Sequence, residues 1–164
     1  MAKSAGDGPT DTGSPIGLDA GEAEATIAYK LRLAQILAFR AFEEKLADRG
    51  RAPRYLGLLA IIGSHPGQPQ SRLAEAVALR RSSLVTILDI LTADGLIERR
   101  SSPDDRRSNG IWLTEKGEET VAELLAESRH HDAMLTAGLS REDIATALNV
   151  LDQVIENLRG NELR

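Results

Sequence analysis

Apolar residues recur at helical spacing from about Glu22. Ile27, Leu31, Ala34, Ala38 and Phe42 follow at steps of three and four, predicting an amphipathic helix that fades by Arg49-Gly50. Pro53 suits the first turn of a second helix, over about Pro53 to Gly63, with Leu56, Leu59 and Ala60 inside. The stretch GSHPGQPQ breaks that helix and reads as a plain loop. Leu73, Ala74 and Val77 then share one face of a short helix, and Ala78-Leu79-Arg80 suits a tight turn. A further helix starts at Arg81 or Ser82, buries Leu84, Ile87, Leu88 and Leu91, and stops at Gly95. Ala74 and Ala78 are small, as expected where two helices approach closely. Two short helices around such a turn form a helix-turn-helix.

The period then changes. Ile97 to Arg100 and Ile111 to Leu113 suit a two-stranded hairpin with Ser101 to Gly110 as its tip. A hairpin directly after a helix-turn-helix is a wing. Thr114 suits the cap of a following helix, with Glu115, Glu118 and Glu119 near its positive end. That helix runs to about Thr136 and carries Val121, Leu124, Leu125 and Leu135. Ser140 and Asp143 have capping-box spacing, with Asp for the preferred Glu. In the last helix Ile144, Leu148, Leu151, Ile155 and Leu158 step by 4, 3, 4, 3. Such a seam packs either within its own subunit or against a second copy, and its narrowness favours the dimer interface.

The predicted fold is mainly α with a small β-hairpin wing: a winged helix-turn-helix domain flanked by terminal dimerisation helices. Residues 1–20, rich in Gly, Pro, Ser, Thr and Asp, are expected to be a disordered tail. Residues 21–50 are expected to form an N-terminal dimerisation helix, 51–114 the winged domain, and 115–164 the C-terminal dimerisation helices.

Composition narrows the chemistry. Aromatic residues are 3% of the 164, so the core must be aliphatic. There is no cysteine, which removes disulfides, thiolate metal sites and thiol redox sensing. No signal-peptide pattern follows Lys3, and the apolar run Leu56 to Ile62 is too short to span a bilayer, so a cytoplasmic protein without a membrane partner is expected. Net charge is −5, but it is unevenly spread. Glu115 to Ala137 holds two basic and six acidic residues, while Ser71 to Thr114 holds seven arginines and six acids. Only there do arginines come in pairs: Arg80-Arg81, Arg99-Arg100 and Arg106-Arg107.

The order of elements, together with DDRRSNGIWLTEKG, resembles the MarR family of transcriptional regulators. The family's wing pattern is Asp-x-Arg, three variable residues, an aliphatic, one residue, then Leu-Thr-x-x-Gly. It falls on Asp105, Arg107, Ile111, Leu113, Thr114 and Gly117. The segment LAEAVALRRSSLVTILDILTADGLIERR is similar to the family's helix-turn-helix, and AGLSREDI to the join before its last helix. The resemblance spans about residues 22–160. It implies a homodimer with interleaved terminal helices, each winged module reading half of a pseudo-palindromic operator on double-stranded DNA. It also implies repression relieved by a small, often phenolic or anionic, effector. The chain departs from the family at Thr86 and Ile90, where members often carry basic residues.

Arg106 or Arg107 is expected in the minor groove, oriented by Asp105 through a charge-assisted pair. Alternatively, Arg107 folds back onto Asp89 as a brace and leaves Arg106 to touch DNA. Ser82, Ser83 and Thr86 face outward toward phosphates or base edges, unless Ser82 is only a helix cap. Arg80 and Arg81, with Arg72 from the preceding helix, are expected on phosphates. Gly110, so close to the strand, is expected to loosen the wing. His130-His131 are adjacent rather than four apart, so they lack the zinc-binding helix spacing, and no metal or cofactor is expected. No phosphate-binding loop, nucleophile elbow or carboxylate constellation suggests an enzyme. The competing function is a winged-helix protein-interaction module without sequence-specific DNA binding.

Overall fold

The computed structural model describes residues 20–50, 52–101 and 109–162, with side chains of 101, 109, 161 and 162 excepted. The chain divides into two compact units, Met1–Ala41 and Phe42–Arg164. The expected tail, 1–20, lies outside the described residues apart from Ala20.

The first unit holds a 3-10 turn, Gly21–Ala25, and most of helix α1, Ile27–Lys45. Thr26 ends the turn, and its hydroxyl accepts from the amide of Tyr29 at 3.2 Å. None of this unit's described residues is buried. Ile27, Leu31, Ile36, Leu37 and Phe39, spread around α1, are exposed.

The second unit contains the core. A 3-10 turn, Ala52–Tyr55, leads into helix α2, Leu56–Ser64. Pro53 therefore sits in a tighter turn before the α-helix rather than in its first turn. Helix α3, Gln70–Ala76, and helix α4, Arg81–Ala93, form the helix-turn-helix. Leu59, Ile62, Leu73, Leu84, Leu88 and Leu91 are almost wholly buried, with Ala74 between them. Val77 and Ile87 pack on this core while only partly buried.

Ala78 corrects an expectation. It is exposed and has a φ of 52°, in the left-handed region. The amide of Leu79 donates to the carbonyl of Ala74 at 2.9 Å, and that of Ala78 to Glu75 at 3.2 Å. This is a Schellman stop. A left-handed backbone favours glycine or asparagine over alanine, and Ala78 is exposed, so its small size is not explained by a close crossing of two helices.

The loop GSHPGQPQ is also corrected. It contains a short strand, β1, Gln68–Pro69. Strand β1 pairs antiparallel with β3, Asn109–Leu113, which pairs with β2, Ile97–Ser101, giving the order β1-β3-β2. The wing is thus part of a three-stranded sheet, and its strands run further than expected, leaving 102–108 between them. Ile97 and Ile111 point into the core. On the other face Trp112 lies across Gly67 and Gly110. A Cβ on Gly110 would come within 2.5 Å of both the Gly67 carbonyl oxygen and the indole ring. Gly110 therefore has a packing reason to be glycine.

Helix α5, Glu115–Leu135, leaves the sheet and buries Val121 and Leu124. Lys45 pairs with Glu127 at 2.6 Å, and Arg49 pairs with Glu123, tying the end of α1 to α5. The ring of His131 tilts against Phe42, with centroids 5.2 Å apart. The Lys45 ammonium holds the Glu127 carboxyl below its usual range, and the Arg54 guanidinium does the same to Glu43.

Helix α6, Arg141–Glu162, starts at a true capping box. Ser140 Oγ donates to Asp143 Oδ2 at 2.6 Å, and the Asp143 amide returns to Ser140 Oγ at 3.1 Å. No residue of α6 with a described side chain is buried. Leu148 is 58% exposed, Leu151 40%, Ile155 44% and Leu158 61%, so most of the seam is uncovered within the single chain.

Candidate nucleic-acid interface

The outward edge of α4 is set by its inward one. Leu84, Leu88 and Leu91 occupy one side at steps of four and three, so Ser82, Ser83 and Thr86 fall on the exposed side. The Thr86 hydroxyl donates to the Ser82 carbonyl at 3.3 Å, which parks it against its own helix. Arg80 is the N-cap residue and Arg81 the first residue of the helix, so Ser82 is not the cap. The Arg80 side chain makes no capping hydrogen bond, and the first turn of the helix has no acidic residue.

Arg72 on α3, Arg80 and Arg81 are all exposed and have no carboxylate partner among the described residues. Arg54, by contrast, bonds Glu43 at 2.9 Å, and Arg49 bonds Glu123. The three helix-turn-helix arginines therefore leave positive charge directed to solvent.

The wing is braced against α4 by an ion pair the sequence reading missed. Arg99 Nη2 of β2 donates to Asp89 Oδ1 of α4 at 2.6 Å. Asp89 thus has a cation from the strand itself, where Arg107 was one expected partner. Strand alternation carried this signal: Arg99 pairs with the buried Ile111 and shares its inward direction. Arg100, one residue on, faces the other way, pairs with Glu98, and lies over the Trp112 ring at 5.7 Å. Asp105, Arg106 and Arg107, the expected wing contacts, lie outside the described residues.

The base of the wing is locked to the end of α4. Gly95, with a φ of 73°, closes the helix, and the Leu96 amide donates to the Leu91 carbonyl at 3.0 Å. Thr114 then acts three times. Its hydroxyl donates to the Gly95 carbonyl at 2.6 Å and accepts from the Gly117 amide at 3.0 Å, while its own amide donates to Leu96 at 3.1 Å. Lys116 Nζ adds a bond to the Asp94 carbonyl at 2.8 Å, next to the negative end of α4. A Cβ on Gly117 would overlap the Leu96 carbonyl oxygen. The spacing Leu-Thr-x-x-Gly is thus a joint between α4, the wing and α5.

Among the described residues no group of three or more His, Asp or Glu could hold a metal ion. No described helix is long and apolar enough to cross a membrane. His65 follows α2 as its C-terminal cap residue, and His130 Nδ1 lies 3.0 Å from the Ala126 carbonyl.

Comparison with known proteins agrees with this geometry. Residues 54–108 match the MarR family. A protein of Thauera aromatica assigned to transcriptional regulation of the hcr operon is 33% identical over 135 residues, covering 82% of this chain and 81% of its own. The solved structure of the transcriptional repressor CouR bound to a 23-mer DNA duplex is 31% identical. It covers 84% of this chain and 98% of its own, with a TM-score of 0.76. CouR bound to p-coumaroyl-CoA is matched at 28% identity, over 84% of this chain and 97% of its own, with a TM-score of 0.75. Winged module, Thr114 joint and close relatives converge: this chain belongs to the MarR family of transcriptional regulators.

Proposed function

We propose that this MarR-family regulator is a homodimeric repressor that binds a pseudo-palindromic operator in double-stranded DNA and leaves it when a small-molecule effector binds. The observation that carries the reading is the outward edge of α4. Arg80 and Arg81 stand at its start without carboxylate partners among the described residues, and Ser82, Ser83 and Thr86 follow on the same exposed side. Such an edge fits the major groove, with the arginines on phosphates and the hydroxyls on phosphates or base edges. Arg72 adds a phosphate contact, and Arg106 or Arg107, with Asp105, supplies the minor-groove contact.

Two uncovered apolar faces support the dimer. One is the exposed apolar surface of α1, with Ile27 and Leu31 on one face; the other is the α6 seam from Leu148 to Leu158. The effector class is supported by the CouR complex, because p-coumaroyl-CoA joins a phenol to anionic phosphates.

The test is a gel-shift titration against operator fragments selected from genomic DNA, repeated at several salt concentrations. Arg107→Ala is expected to weaken binding at least tenfold, about 1.4 kcal/mol, and to flatten the salt dependence. Unchanged affinity removes Arg107 from the interface, and absence of duplex binding by the wild-type chain removes the whole reading.

A further inference from the structure

We propose that the groove between the helix-turn-helix turn and the end of α6 is a binding site for a phosphate-type anion, held by Arg80, Arg81 and Arg159. The groove encloses about 480 Å³, and its walls include these three arginines with Ser71, Glu75 and Leu79. Among the described residues of the lining, three permanently charged guanidinium groups thus meet one carboxylate, Glu75. Like charges gathered in one groove repel, and a multiply charged anion between them relieves that repulsion.

Their existing partners do not neutralise them. Arg80 and Arg81 have no carboxylate partner among the described residues. Arg159 meets Glu156 on its own helix at 3.5 Å, and both side chains are more than half exposed. An exposed pair of that kind contributes little and exchanges readily for a better acceptor. The positive end of α4 adds to the same field. Guanidinium forks match phosphate oxygens two at a time, and Ser71 also lines the wall. No sequence pattern announces this site, because Arg159 joins the other two only through the fold.

The phosphate can belong to a DNA backbone or to a free phosphorylated molecule. In the first case the site rests on the DNA-binding reading and extends it to the C-terminal helix. In the second it stands apart from it.

Inorganic pyrophosphate titrated into the full-length chain at constant ionic strength, followed by calorimetry, tests the site. Arg159→Gln is compared with Arg141→Gln, an equal loss of charge about 27 Å away along the same helix. The wild type and Arg141→Gln are expected to bind pyrophosphate, and Arg159→Gln at least tenfold more weakly. Equal binding by wild type and Arg159→Gln, or no binding by wild type, overturns the proposal. Duplex DNA then separates the sources. Weaker duplex binding by Arg159→Gln alone, with a salt slope shallower by about one, assigns the phosphate to the backbone. Lost pyrophosphate binding with unchanged duplex binding assigns it to a free ligand. Should wild type bind pyrophosphate through Arg159 but no duplex, the regulator reading fails and the anion site stands.

Discussion

Thr114 donates its hydroxyl hydrogen to the carbonyl of Gly95 at 2.6 Å, joining the first turn of α5 to the end of α4. The same oxygen accepts from the Gly117 amide, so one hydroxyl caps one helix and ties down the end of another. Whatever moves α5 must therefore move the end of α4 as well, or break this bond.

Thr114→Val keeps the shape and removes both bonds. A loss of about 2 kcal/mol is expected, from a lost cap and a lost tie. Urea unfolding measures it, with Thr114→Ser retaining most of the stability. An unchanged midpoint in the valine variant would show that the joint contributes nothing.

Gly110→Ala and Gly117→Ala each place a methyl group against a backbone carbonyl. Each is expected to cost about 1–3 kcal/mol, as overpacking does. Gly57→Ala in α2 is the control: its Cβ meets open space, and a gain of up to about 1 kcal/mol is expected. Because Trp112 is the single tryptophan, its fluorescence should shift in the Gly110 variant and stay unchanged in the Gly57 variant.

Light scattering at micromolar concentration should report twice the 17.7 kDa of one chain. Leu151→Glu, and separately Ile155→Glu, should reduce that mass to one chain. Both side chains are at least 40% exposed in the single chain, so helicity by circular dichroism should be retained. A glutamate variant that remains dimeric places the interface elsewhere.

Acid should weaken the start of α6. Hydrogen bonds from Ser140 hold the Asp143 carboxyl below its usual range. A lowered folded value means the contribution is present above the unfolded value, near pH 4, and fades as pH falls through the folded one. Ser140→Ala should therefore be less stable than wild type at pH 7, with the gap narrowing by pH 3. Urea midpoints at the two pH values check this, and a gap independent of pH removes the charged capping box from the explanation.

Much of the fold was legible because helices announce themselves locally. The steps among Leu84, Leu88 and Leu91 fixed the direction of α4, and Thr114, Ser140 and Gly95 marked helix ends through their own backbone chemistry. The wing's two long strands were legible from their change of period. Strand β1 was not, because Gln68 and Pro69 have no strand pattern of their own and pair only through the edge that β3 offers. Ala78 was legible as a small residue, but its left-handed backbone was not.

Sequence alone determined the helix-turn-helix, the cap residues, the α6 seam and the arginine pairs, since each depends on neighbours within a few turns of chain. Tertiary structure alone decided which arginines work inward and which outward. Arg99 meets Asp89 because strand pleating turns it toward α4, and Arg100 turns away onto Trp112. Arg80 and Arg81 remain uncommitted because, among the described residues, no carboxylate pairs with them at the start of α4. Arg159 joins their groove because α6 returns there. Charge pairing depends on distance in space, and only the folded chain sets that distance.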